Sequence, residues 1–207
     1  QIWLTQVLNS PLKEADCVLA DLEVENTLRE SEFYFPMESA SSKQLSNMLT
    51  EHRRGGFSSI NGIVNVSLPS YQSLKGMMHG FIDLIFEHQG KFFVCDYKSS
   101  HLGDQFEDYN AVNLKENIEK HYYDLQYLIY CLALHRHLKH SLENYDPKLH
   151  FGGIYYFYLR GMTDEVAHQG RGIYFRKITV EELEKLDVIF MGKNTSVVKR
   201  VMEDSNE

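Results

Sequence analysis

The sequence predicts an α/β domain whose strands are covered on both faces, and three observations carry that expectation. Two runs rich in aromatic and branched residues, Gly80-Phe-Ile-Asp-Leu-Ile-Phe-Glu and Phe92-Phe-Val-Cys-Asp-Tyr-Lys, flank a short polar break at His88-Gln89-Gly90-Lys91, the pattern of a β-hairpin. A helical period then runs from about Leu114 to His140, with Tyr122, Leu125, Ile129, Leu132 and Leu138 among its apolar residues. Gly153 to Leu159, dense in tyrosine, and Gly172 to Ile178 follow as two further strands. Neither hairpin strand alternates cleanly between apolar and polar residues, which suits strands enclosed on both sides.

The remaining elements follow in chain order. Residues 2 to 9 read as the end of a helix, stopped by Asn9-Ser10-Pro11 because proline cannot continue it. Leu28 to Phe35 reads as a strand closed by Pro36. From Met37 to Ser59 the chain is rich in serine, contains Gly55-Gly56 and lacks a firm period, apart from a short helix over Lys43 to Leu49. We expect residues 37 to 71 to be a variable excursion. Gly103 to Asn110 is a polar, acidic loop. The long helix ends in His135, Arg136, His137, Lys139 and His140, which suits the negative end of its dipole. Thr179 with Glu182 is a capping-box signature for a last helix reaching Met191, and residues 202 to 207 read as a frayed polar tail. The chain opens without Met inside an amphipathic pattern of Ile2, Trp3, Leu4, Val7 and Leu8. The expectation is a single domain over 1 to 207, cut from a longer subunit.

Composition narrows the function classes. With 43% hydrophobic and 24% charged residues the chain has the make-up of a folded globular domain rather than a disordered one. It has no run of eighteen or more apolar residues and no basic-then-apolar start. Cys17, Cys95 and Cys131 are odd in number and far apart, which argues against a disulfide framework or a zinc site and points to a reducing cytoplasm. The net charge of −8 has the wrong sign for broad attraction to nucleic acid. Any polyanion must be delivered by a partner domain or neutralised by a divalent cation.

The hairpin carries the chemistry. With Gln89-Gly90 at the centre of the turn, Asp83 and Asp96 are equidistant from it and face each other. Lys98, two residues on, shares their face. That face carries Phe81, Asp83, Ile85, Val94, Asp96 and Lys98; the other carries Ile82, Leu84, Phe86, Phe93, Cys95 and Tyr97. Two opposed carboxylates in a partly buried sheet repel unless something compensates. A hard divalent cation with oxygen ligands does so, and such a site lowers the pKa of bound water and polarises a phosphoryl oxygen. The alternative is a salt-bridge cluster in which Lys98 only neutralises its neighbours.

These residues also carry a resemblance. Gly80-Phe81-Ile82-Asp83-Leu84, then Asp96-Tyr97-Lys98-Ser99, then Asp124-Leu125-Gln126-Tyr127 with Tyr130, resemble the successive nuclease motifs of the RecB family within the PD-(D/E)XK superfamily. The likeness extends through Leu134-His135-Arg136 and Phe151-Gly152-Gly153 to Leu159-Arg160-Gly161, and is weakest from Met37 to Tyr71. It implies a restriction-endonuclease-like fold, a mixed sheet flanked by helices, and magnesium-dependent cleavage of DNA. Asp83 and Asp96 become metal ligands, the backbone carbonyl of Tyr97 a further one, and Lys98 the residue that positions the attacking water or steadies charge on the phosphate. Gln126 and Tyr130 match the motif near the site on the following helix, where i, i+4 spacing gives them one face. The resemblance further implies single-stranded DNA delivered by a helicase, sister subunits of the RecC and RecD kind, and contact with a recombinase. A catalytically weak docking module for that recombinase or a sister subunit is the alternative function. The family pattern also has a histidine in an upstream helix, within a stretch resembling G-T-x-L-H; none occurs here, and we expect it to lie before Gln1.

Weaker signals have plainer readings. Glu30 and Glu32 fall where the superfamily often places a glutamate near the metal; Glu30 is carried as a supporting ligand, although solvation is the simpler fate of at least one of the pair. His135, His137 and His140 lack H-E-x-x-H spacing and read as a basic helix end. Within Tyr155-Tyr156-Phe157-Tyr158, alternation turns half the rings inward and leaves the rest able to stack on bases. Cys95, on the apolar face, reads as a small buried hydrophobe.

Overall fold

A computed structural model describes residues 2–55, 66–69 and 74–191. Contacts divide the chain into two compact units, Gln1–Glu32 with Phe81–Thr179, and Phe33–Gly80 with Val180–Glu207.

The first unit begins with helix α1 (Ile2–Leu8), which ends before Pro11 as expected, and a small ladder of β1 (Pro11–Leu12) and β2 (Cys17–Val18). Its body is a five-stranded sheet in the order β3 (Thr27–Ala40), β4 (Leu74–His88), β5 (Lys91–Lys98), β6 (Phe151–Tyr158) and β7 (Ile173–Arg176), where β3 and β4 run on into the second unit. β4 and β5 form the hairpin. Gln89 has φ 52° and Gly90 φ 77°, the two left-handed residues that a two-residue type I′ turn requires, and His88 pairs with Lys91.

From β5 the chain crosses over through α3 (Ala111–Lys120), α4 (Tyr123–Ser141) and the single turn α5 (Pro147–His150) to β6, which lies parallel to β5. β7 returns antiparallel to β6, so the sheet is mixed. The long helix expected over Leu114 to His140 is thus two helices. Tyr122 takes a left-handed conformation, φ 55°, between them, and no glycine or proline marks the break. α3 starts instead on the Asn110 side chain, which accepts from the N–H groups of Val112 and Asn113.

Both sheet faces are covered. Leu84, Phe86, Phe93 and Cys95 pack with Tyr155, Phe157 and Met162 and with Val7, Leu12 and Ala15 from the N-terminal segment. This is the second hairpin face of the sequence reading, and Cys95 lies in it as a buried free thiol. Phe93 is closely seated against β6: a Cβ at Gly152 would run into its ring. The opposite face meets α4 through Tyr156, whose ring stands edge-on to Tyr127 and Tyr123. Because β6 is enclosed on both sides, Tyr155, Tyr156, Phe157 and Tyr158 are all fully buried, and the expectation that half of them stack on bases is corrected. His135 is also buried, its Nδ1 3.0 Å from the Tyr145 hydroxyl, so it is a core group rather than part of a solvated basic helix end.

In the second unit, β3 passes through Pro36 to Ala40 instead of closing there. An edge strand tolerates a proline because the missing N–H has no ladder partner to serve. Helix α2 (Ser42–Gly55) is longer than the Lys43 to Leu49 segment expected, and α6 (Val180–Met191) packs on it. Between them His52 Nδ1 lies 2.6 Å from Glu182 Oε1, and the ring of Phe190 meets Phe35 edge-on. The tail expected over 202 to 207, and the parts of the 37–71 excursion at 56–65 and 70–71, lie outside the described residues.

Candidate active site

Asp83, Asp96 and Lys98 converge at the end of the hairpin far from its turn. The ladder runs from His88–Lys91 to Leu84–Cys95, and continuing that register sets Asp83 beside Asp96. There the Asp83 carboxylate accepts the backbone N–H of Tyr97 at 2.9 Å, so β4 holds its carboxylate against the peptide between the other two site residues. Asp83 is half-buried and Asp96 is 4% exposed.

The environment of Asp96 is unusual for a carboxylate. Its Oδ2 stands 2.5 Å from Lys98 Nζ, so the charges touch, but the approach lies off the hydrogen-bonding direction and Oδ2 lacks a well-aligned donor. Burial pushes the carboxyl from its ordinary 3.8 up to about 6; the Lys98 ammonium pulls against this, and the Asp83 charge adds to it. A buried, poorly solvated oxygen that resists ionisation is one that a cation would satisfy.

Lys98 is held from three sides. Nζ donates to Gln126 Oε1 at 3.0 Å, touches Asp96, and sits over the rings of Tyr123 at 4.0 Å and Tyr156 at 4.7 Å. Gln126 in turn donates from Nε2 to the Tyr130 hydroxyl at 2.9 Å, which uses the i, i+4 face expected of that pair. The Tyr156 hydroxyl lies 2.8 Å from Gln126 Oε1 and 3.0 Å from the Tyr123 carbonyl, and its one proton serves either acceptor. Burial, and then the Asp96 charge, raise the Tyr130 phenol above its ordinary value, so it stays neutral.

Sequence reasoning did not identify Tyr123 and Tyr156 as partners of Lys98. Tyr123 lies three residues before Gln126 on the same helical face, a spacing that was available to read. Tyr156 is set beside Asp96 by the parallel pairing of β5 with β6, which no local pattern reveals. Glu30 is exposed, with φ 48°, and that left-handed residue breaks the alternation that made Glu30 and Glu32 share a face.

The oxygens here that could hold a cation are those of the Asp83 and Asp96 carboxylates and of the backbone carbonyls; no group of three or more His, Cys, Asp or Glu side chains gathers among the described residues. All-oxygen donors fit a hard divalent ion such as magnesium, which keeps several waters and takes one or two carboxylates.

A family model described as the PD-(D/E)XK nuclease superfamily matches residues 6–200. The chain belongs to the PD-(D/E)XK nuclease superfamily. The RecBCD enzyme subunit RecB of Escherichia coli (strain K12) is 36% identical over 193 residues, 92% of this chain and 15% of that protein. The same subunit of Haemophilus influenzae is 36% identical over 192 residues, again 92% of this chain and 15% of the relative. That of Buchnera aphidicola subsp. Acyrthosiphon pisum is 33% identical over 175 residues, 84% and 14%. The chain spans about one seventh of the length of these relatives. The PD-(D/E)XK assignment fits the mixed five-stranded sheet and its flanking helices, and makes the chain a nuclease domain. No helix among the described residues is long and apolar enough to cross a membrane.

Proposed function

We propose that this chain is the magnesium-dependent DNA-cutting domain of a RecB-type helicase-nuclease, of the exodeoxyribonuclease V type, that processes double-strand DNA ends for recombination and repair in the cytoplasm. The observation that carries the reading is the meeting of Asp83, Asp96 and Lys98 on one sheet face, with Lys98 clamped by Gln126 and two tyrosine rings. Asp83, Asp96 and the Tyr97 carbonyl would hold the ion. When bound, magnesium supplies charge neutralisation of the phosphate and an acidified water. The side chains do the rest. Asp83 braces the Tyr97 peptide, and Gln126 with Tyr123 and Tyr156 fixes the Lys98 ammonium at the edge of the carboxylate pair. From there Lys98 orients the nucleophile and offsets charge on the phosphoryl oxygens.

The acidic chain fits a division of labour in which a motor delivers single-stranded DNA, so the site needs no basic face. RecC-like and RecD-like subunits and a recombinase are the partners this reading carries, given that the relatives are named as subunits of the RecBCD enzyme. The test is incubation with end-labelled single-stranded DNA in magnesium or in chelator, with the Asp96→Ala variant alongside. Fragments should appear only for the unaltered chain in magnesium. A melting temperature indifferent to magnesium, with no cleavage, would favour the docking module instead.

A further inference from the structure

The motif Leu159-Arg160-Gly161 takes no part in the metal-and-lysine arrangement, yet the fold brings it beside that arrangement. β5 and β6 are parallel and end together, with Lys98 paired to Tyr158, so Ser99 and Arg160 leave the sheet side by side. Arg160 Nε donates to the carbonyl of Ser99 at 3.0 Å, which ties the guanidinium to the residue after Lys98. The side chain is exposed, and its terminal amino groups make no hydrogen bond or ion pair among the described residues. It borders a cavity of about 210 Å³ shared with His101, Gly103, Asp104, Gln105, Phe106 and Tyr109.

The cavity wall is built rather than loose. Gln105 N–H donates to Asp108 Oδ2 at 2.9 Å, and Leu102 N–H reaches the Tyr109 hydroxyl at 3.3 Å. Gly103 lies so close to Asp108 that a Cβ would strike its carboxylate, and Gly161 lies equally close to the Tyr109 ring. The carboxylates beside it are engaged, Asp104 with His101 at 3.0 Å and Asp108 with the Gln105 N–H, and among the described residues lining the cavity Arg160 is the fixed cation without an ion-pair partner.

Resting on the nuclease reading above, we propose that Arg160 and this cavity form a second phosphate subsite, which grips the phosphate next along a DNA strand from the one being cut. A guanidinium held by Nε presents its remaining N–H groups as a fork, the geometry that matches phosphate oxygens. The place is also where a sheet gathers ligands, outside the carboxyl ends of parallel strands. In a chain of net charge −8, a single anchored fork here sets the strand's register without making the surface basic. The phosphate is either an internal diester or a terminal monoester; the chemistry of the grip is the same.

The test is equilibrium binding of a short fluorescein-labelled oligothymidylate to the chain, with calcium in place of magnesium, across a salt titration. Removing one phosphate contact from a single strand should flatten the slope of log affinity against log salt by about 0.7, and Arg160→Gln should show that loss while Arg160→Lys retains most of the slope. His101→Glu, at an exposed position outside the Ser99 tether, should weaken binding at low salt and match the unaltered chain at high salt. Oligonucleotides with and without a 5′-phosphate separate the sources: equal effects of Arg160→Gln on both assign an internal diester, and an effect confined to the phosphorylated one assigns the strand end. An unchanged slope in Arg160→Gln, or an inert His101→Glu, overturns the subsite and leaves Arg160 a tether for Ser99. Absence of binding by the unaltered chain also overturns it. Magnesium-dependent cleavage of the same oligonucleotide, scored separately, decides the nuclease reading on its own.

Discussion

Replacing Asp96 by asparagine should stabilise the metal-free protein at neutral pH while destroying its response to metal. Burial raises the Asp96 carboxyl from 3.8 to about 6. Because ionisation is harder in the fold than in the unfolded chain, the unfolded state holds fewer protons across that window, and stability falls as the pH rises through it. The contribution is intact below pH 3.8 and lost above about 6. A shift of that size corresponds to about 3 kcal/mol. Asparagine resembles the neutral acid, so in chelator at pH 8 the variant should be the more stable form by up to that amount, roughly 6–12 °C in melting temperature for a chain of this length. The gap should close as the pH is lowered toward 4. Adding magnesium at pH 8 should raise the melting temperature of the unaltered protein and leave Asp96→Asn where it was. Thermal melts at several pH values, with and without metal, read all of this. If Asp96→Asn is less stable than the unaltered protein at pH 8 in chelator, Asp96 is a net stabilising partner of Lys98 and the view of an ion-hungry carboxylate is wrong.

Other changes separate chemistry from packing. Lys98→Gln should abolish cleavage yet keep a metal-induced rise in melting temperature, and the pH at which that rise sets in should move upward because Lys98 no longer pulls the Asp96 pKa down. Gln126→Leu should lower the cleavage rate by tenfold or more, a loss of roughly 1.4 kcal/mol or more of positioning, with little change in metal-induced stabilisation; unchanged cleavage would remove Gln126 from the clamp. Phe93→Ala, at a fully buried ring on the far face, should cost about 3–5 kcal/mol of stability, measured by denaturant unfolding. Gly152→Ala should be destabilising as well, and Phe93→Leu, which shortens the opposing ring, should recover part of the loss in the double variant.

The hairpin and the meeting of its charged groups were legible because both are local. A turn with a glycine at its second position, two strands of known period and the identities of Asp83, Asp96 and Lys98 suffice to place three groups on one face. What depended on distant partners was not legible. The break at Tyr122 replaces one expected helix by two without a breaker residue, since tertiary packing rather than propensity decides it. The burial of all four rings of Tyr155 to Tyr158 follows from β6 lying inside the sheet, a matter of strand order that alternation does not encode. Pro36 marked a strand end only on the assumption of an interior strand. The grip of Tyr123 and Tyr156 on Lys98 joins a helix and a strand that the sequence separates by more than twenty residues from the motif; only the spacing of Tyr123 to Gln126 offered a signal, and Tyr156 offered none.

The type I′ turn makes the hairpin a caliper. Asp83 and Asp96 stand the same number of residues from Gln89-Gly90, one on each arm, and the register brings the two jaws together. Lengthening or shortening one arm by a single residue would leave the turn and most of the ladder able to form, yet would rotate everything beyond it to the opposite side of the sheet. Asp96 and Lys98 would then point into the cluster of Phe86, Phe93 and Met162, and Cys95 and Tyr97 would replace them against α4. A change of two residues keeps the side but offsets the jaws by about 7 Å, beyond the span of one shared ion. The arms between Asp83 and Lys98 cannot vary in length by one residue and keep these groups together, so a hairpin that folds well is no guarantee of a hairpin that cuts.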